Sequence, residues 1–218
     1  MKRIIAILPI VFSLYVSAQN IKVKEDKEDL GGGKNPVLTV IIPEADDADV
    51  EKAWKSLMKD YNAKVSNKDG VFADNAAISE ISANTVDVYA ITKKDDNGVK
   101  LIVAIDLGGA FISESTHSTE YNAAEKIIEK FAVEISKKAV NKKLEDAKDK
   151  QKDLEDNLAQ LIKKKEKLEK EIEEYKKKIT TNEEDIVINK SDQEKAAKLI
   201  EDQKKAVEVV QKKLDEIK

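Results

Sequence analysis

From Leu144 to Ile217 the apolar residues recur in a single unbroken heptad register. One seam position runs Leu144, Gln151, Leu158, Lys165, Ile172, Ile179, Ile186, Gln193, Ile200, Val207, Leu214. The other, three residues on, runs Ala147, Leu154, Leu161, Leu168, Tyr175, Asn182, Asn189, Ala196, Gln203, Val210, Ile217. Of these 22 positions 16 are apolar, against 41% for the chain, and Lys, Glu and Asp fill most of the space between them. An apolar stripe this narrow, repeating every 3.5 residues, is buried only against another helix. The pattern therefore predicts a coiled coil over residues 141–218. Its candidate interaction residues are Leu144, Leu154, Leu158, Leu161, Leu168, Ile172, Ile179, Ile186, Ile200, Val207, Val210, Leu214 and Ile217.

Two topologies satisfy this register. No Gly or Pro follows Gly109, and the repeat passes intact through Thr180-Thr181-Asn182. Both facts favour one continuous helix of roughly 100 residues, about 150 Å at 1.5 Å per residue. The alternative is a helical hairpin turning near Thr180 to Glu183. Thr181 with Glu184, or Ser191 with Glu194, would supply a capping box for its second arm. A continuous helix needs a partner chain, most simply a second copy; a hairpin buries its own seam.

Upstream the periodicity changes. Val37 to Ile42 is a β-branched run between Pro36 and Pro43, which predicts a strand buried on both faces. Val50, Trp54, Leu57, Met58 and Tyr61 share one helical face, preceded by acids suited to the first turn of a helix. Ala63–Ser66 and Gly70–Ala73 read as a short hairpin around Asp69-Gly70, while Ala76–Ser82 is ambiguous. Thr85–Lys93 alternates, turns at Asp95-Asp96-Asn97-Gly98 and returns as Val99–Leu107, a long hairpin. Gly108-Gly109 breaks it, with Ala110–Ser113 expected to continue after a bulge. From Glu120, the residues Tyr121, Ala124, Ile127, Ile128, Phe131 and Ile135 make a face wide enough to cover a sheet. The narrowing of that face after Ser136 marks the domain edge. The predicted fold is α+β: a small, mostly antiparallel sheet with packed helices over residues 36–140, followed by the long C-terminal coiled coil.

The chain begins with a leader pattern. Lys2 and Arg3 precede an apolar run from Ile4 to Val16, and Val16-Ser17-Ala18 suits a signal peptidase. Residues 1–18 are thus expected to be a signal peptide, and the product periplasmic or secreted, with no stable membrane insertion after cleavage. Residues 19–35, polar and ending in Gly31-Gly32-Gly33-Lys34, read as a flexible lead-in. The glycines precede a strand instead of linking a strand to a helix, so a phosphate loop is not indicated. There is no Cys, so packing alone must hold the fold.

Charge narrows the partner. The only Arg is Arg3; without Lys2 and Arg3, 37 Lys face 43 acids, a net charge of −6. Residues 141–218 carry 21 Lys and 21 acids, so the excess lies upstream. An acidic head, a neutral tail and no Arg after Arg3 exclude the electrostatic footprint of a nucleic-acid binder.

Candidate chemistry is sparse. His117 is the single imidazole and sits in a Ser/Thr-rich segment expected to be a solvated loop. The acids at 44–49 lack the alternating ligand pattern of a calcium loop and are better explained as helix-capping. Asp87 and Asp106 lie on the two strands of the long hairpin. They are expected to be ordinary surface acids, with a metal or acid–base pair as the alternative. No catalytic residue, metal site or cofactor is predicted.

The Ala18-Gln19 ending of the leader, the composition that is Lys-rich and Arg-free after the leader, and the segments Asn84–Ala90 and Asp106–Ser113 resemble uncharacterised exported proteins of the Bacteroidota. These have a small α/β domain and a C-terminal coiled coil. The resemblance implies export and transfers no functional residues. The expected function is that of an exported, non-enzymatic interaction protein, a homodimer through the coiled coil or a binder of an unidentified protein partner. The alternatives are a periplasmic holding chaperone or adaptor with a helical prong, and a ligand-binding or hydrolytic domain using the acidic sheet.

Overall fold

The computed structural model describes residues 21–67 and 70–216. The expected signal peptide at 1–18 lies outside the described residues, as do Ile217 and the Asp69 of the short turn. The elements are β1 (Lys24–Asp29), β2 (Lys34–Pro43), α1 (Asp47–Asp60), β3 (Lys64–Ser66), β4 (Val71–Ala76), β5 (Val86–Asp95), β6 (Gly98–Asp106) and α2 (Ser118–Glu216). The strands form one six-stranded sheet in the order β1-β2-β6-β5-β4-β3, and every neighbouring pair is antiparallel. This is the expected α+β class, with one long C-terminal helix.

The β5–β6 hairpin is the middle of the sheet, registered from Asp87 opposite Asp106 to Asp95 opposite Gly98. Its turn closes through Asn97 N–H donating to Asp95 Oδ1 at 2.9 Å. Gly98 has φ +143° and lies so close to Ile42 O that no Cβ fits. β2 pairs with β6 on its other side and buries Val37, Leu38, Thr39, Val40 and Ile42, so two-sided burial holds except at Ile41. A register shift between Ala73 and Ala76 interrupts the β4–β5 ladder, with Asn75 at φ +57°. Past β4 the ambiguous segment is a turn that buries Ile78 and Ile81.

One face of the sheet carries the main core. α1 presents Val50, Trp54 and Met58 to it, and the start of α2 presents Tyr121, Ala124, Ile128, Phe131 and Ala132. Trp54 and Phe131 meet edge to face at 4.9 Å, the arrangement that ring quadrupoles favour. Asp47 and Asp49 occupy the first turn of α1, as expected for the helix dipole, although Asp46 at the N-cap makes no side-chain capping bond. The opposite face holds a smaller cluster of Leu30, Val37, Ile102 and Ala104, backed by Tyr89, Ile91 and Phe111.

Two expectations are corrected. Residues 19–35 are not simply a flexible lead-in: Lys24–Asp29 forms β1, paired with β2 from Lys24↔Thr39 to Asp29↔Lys34. The three glycines lie in the intervening turn, held by Leu30 N–H to Gly33 O at 3.0 Å and Asn35 Nδ2 to Leu30 O at 2.8 Å. β1 is an edge strand, and a charged edge resists adventitious strand pairing, so no apolar alternation announces it. Second, residues after Gly108-Gly109 do not continue β6. The chain reverses, with Leu107 N–H to Ala110 O at 3.0 Å and Ile112 N–H to Ile105 O at 2.9 Å, so Phe111 bridges back to Asp106. The chain forms two compact units, divided within α2 at Lys148/Asp149. The last buried residue of α2 is Ser136, and within the first unit Lys143 Nζ bonds Glu44 Oε2 at 2.8 Å on the surface.

Candidate functional site

α2 is uninterrupted across the segment where a hairpin would turn. Thr180 and Thr181 donate back to the carbonyls of Lys176 and Lys177, both at 3.2 Å, instead of capping a second helix. This i−4 bonding lets hydroxyl residues sit inside a helix. Lys–acid pairs one turn apart support the helix locally: Lys165–Glu169 at 3.4 Å, Glu173–Lys176 at 2.8 Å, Asp192–Lys195 at 3.0 Å and Glu201–Lys205 at 3.0 Å. Exposed pairs of this kind contribute about 0.3–0.5 kcal/mol each, enough to bias a helix but not to bury its apolar stripe.

The stripe stands open. Leu144, Leu154, Leu158, Leu161, Leu168, Ile172, Ile179, Ile186, Ile200, Val207, Val210 and Leu214 are each between 49% and 66% exposed. Ile217 lies outside the described residues. Twelve of the predicted seam residues are therefore brought into one register on one helix, each about half exposed. Ile162 at 49% and Leu199 at 69% are also exposed. They flank the seam and widen it, a signal present in the sequence but missed when only the two seam positions are counted. Val187, Ile188 and Val209, also exposed, lie off the seam.

Other groups were possible sites. Asp87 and Asp106 are direct cross-strand partners, as their hairpin positions suggested. Each carboxylate is engaged by backbone: Asp106 Oδ1 accepts from Gly108 N–H and Gly109 N–H at 2.9 and 2.6 Å, and Asp87 Oδ1 accepts from Asn75 N–H at 2.9 Å. They shape a glycine turn and a bulge. Tyr89, with Asp87, Asp106 and Asp74 nearby, has its phenol pKa raised above 10.0, first by burial and then by those charges. Among the described residues no three His, Cys, Asp or Glu side chains converge on a metal-sized site. His117 immediately precedes α2, with Nδ1 2.8 Å from Thr116 Oγ1, in the loop expected for it.

A cleft of about 280 Å³ lies between α1 and the sheet, lined by Asp47, Glu51, Trp54, Val71, Ala90 and Leu101 among others. Asp47 Oδ1 and Trp54 Nε1 are buried without partners among the described residues. No described helix is long and apolar enough to cross a membrane. The chain matches no protein-family model, and comparison with curated proteins and with solved structures gives no significant match.

Proposed function

We propose that this chain is an exported, non-enzymatic interaction protein whose C-terminal helix pairs as a coiled coil with a second copy, so that each assembly carries two sheet units. The observation that carries this reading is the open seam: twelve large apolar residues in one register, none less than 49% exposed. Water contact with a stripe of that size is costly at about 25 cal/mol per Å², and a matching stripe removes it. Balanced Lys and acid content in residues 141–218 supports like-with-like pairing, since two copies meet without net repulsion. Export rests on the leader pattern of residues 1–18 and the resemblance to exported Bacteroidota proteins.

The test is solution mass by light scattering, on the chain from Gln19 to Lys218, over a range of concentrations. The expected result is a dimer that L161K/L168K converts to a monomer while the sheet unit stays folded. A wild-type monomer at every concentration overturns the reading. N-terminal sequencing of the product secreted from an expressing cell should begin at Gln19.

One observation favours a second reading. Val187 and Ile188 stay exposed even when the seam is covered, because they face away from it. A prong with such a spot suits a holding chaperone or adaptor. That reading predicts that the protein slows aggregation of an unfolded outer-membrane protein, and that V187S/I188S loses this without losing the dimer.

A further inference from the structure

We infer that the paired helices run parallel and in register, an orientation that rests on the self-association proposed above. The spacing of the seam assigns Leu144 and its repeats to the a position and Ala147 and its repeats to d. In a parallel pair, a meets a and d meets d. In an antiparallel pair, a meets d.

The amides decide between them. Five seam residues carry a side-chain amide: Gln151, Asn182, Asn189, Gln193 and Gln203. In register and parallel, each meets its own copy. An amide has both donors and an acceptor, so like pairs with like. Full-overlap antiparallel pairing sets Gln151 against Val210, Leu158 against Gln203 and Leu168 against Gln193. It also sets Ile172 against Asn189 and Ile179 against Asn182. All five amides then face apolar side chains, which strands polar groups in a dry seam. Sliding that arrangement by one heptad matches Gln151 with Gln203 but still leaves Asn182 against Ile172 and Gln193 against Leu161.

The flanking charges agree independently. In a parallel pair each g residue faces the e residue five positions on in its partner. In register this gives Lys150–Glu155, Lys164–Glu169, Glu171–Lys176, Lys178–Glu183 and Asp185–Lys190, five pairs of opposite sign. A slip of one heptad replaces three of them with Lys164–Lys176, Glu171–Glu183 and Lys178–Lys190, all of like sign. The in-register exceptions are the two ends, Lys143–Lys148 and Lys213–Lys218, and the Lys143 ammonium already bonds Glu44 of its own chain at 2.8 Å. Glu169 also reaches Lys165 within its own helix at 3.4 Å, a contact that competes with the pair but opposes no register.

Two strands fit the seam better than three. Ile or Val occupies a at 172, 179, 186, 200 and 207, Leu occupies d at 154, 161 and 168, and no described d position is Ile. β-branched a with Leu d favours dimers, and Lys165 at a adds a register-setting polar layer.

The chain has no Cys, so introduced thiols report without background. A196C, a small-for-small change at d, should form a disulfide-linked dimer on mild oxidation, and so should L154C at the other half of the seam. A196C mixed with K165C should give no heterodimeric cross-link, because the two positions lie about 46 Å apart along a parallel pair. An antiparallel pair gives the opposite: neither A196C nor K165C cross-links alone, and the mixture does. Light scattering on the same samples separates the failures. A monomer overturns the self-association reading along with this one. A dimer in which A196C and L154C both stay uncross-linked overturns the parallel register alone.

Discussion

Two stretches of one helix carry apolar residues at helical spacing and meet opposite fates. Over Tyr121 to Phe131 the face is wide and buried: Tyr121 is 5% exposed, Ile128 1% and Phe131 6%. From Leu144 onward the large residues are more numerous, yet each is half exposed. The difference is not hydrophobicity but width. A face of three or four residues per two turns covers a sheet, whereas two per heptad fit only between the ridges of another helix. The first stretch is completed by its own chain. The second has the form of half an interface.

Breaking the comparison at its buried side should have the largest effect. Trp54 is 2% exposed, packed edge to face on Phe131. W54A should destabilise the sheet unit by about 3–5 kcal/mol in denaturant unfolding, the cost of deleting a large buried side chain. L158A removes an equally apolar side chain from the open stripe. It should leave the unfolding midpoint of the sheet unit unchanged while weakening the dimer. If L158A shifted the sheet unit as W54A does, the two stretches would not be independent.

The middle of the seam sharpens the comparison at a smaller scale. Asn182 and Asn189 are polar where packing alone would prefer Leu. N182L/N189L should raise the thermal midpoint of the paired helix, since buried amides trade stability for a single register. The same variant should begin to form slipped cross-links, visible when L154C and L161C versions are mixed. A gain in stability with one register kept would show that the flanking charges suffice.

What the sequence conveyed follows the same division. The β5–β6 hairpin, the α1 face and the α2 register were legible because burial on one side imposes a period. β1 was not, because Lys24–Asp29 is polar on both faces and earns its place by backbone pairing with β2. The reversal at Gly108-Gly109 depends on Asp106 accepting two glycine N–H groups, a local bond that leaves no periodic trace. Continuity through Thr180-Thr181 was favoured by the unbroken heptad over the capping alternative, and the uninterrupted α2 decides it, with both Thr hydroxyls bonded back along the helix. The apolar register along α2 was legible, and its large residues stand exposed on that helix. Its flanks at Ile162 and Leu199 went uncounted because they stand at the e and g positions, outside the two seam positions that define the repeat.

The smallest expected effect concerns pH, and it again separates the two regions. Tyr61, Tyr89 and Tyr121 all have phenol pKa values raised above 10.0, in each case chiefly by burial. Nearby carboxylates add to this, Glu80 at Tyr61, Asp87 at Tyr89 and Glu125 at Tyr121. A raised folded value means that the native state holds the proton more tightly than the unfolded chain. That stabilisation is complete below pH 10 and is lost as pH rises through the folded values. All three lie in the sheet unit, whereas Tyr175 stands 60% exposed on the open helix. Stability of the sheet unit should therefore decline above about pH 10. Y89F should make the decline shallower, because Phe keeps the stacking on Phe72 at 4.7 Å and removes the proton. Y175F, on the open stripe, should leave the profile of the sheet unit unchanged, and a shallower decline there would contradict the separation between the two regions.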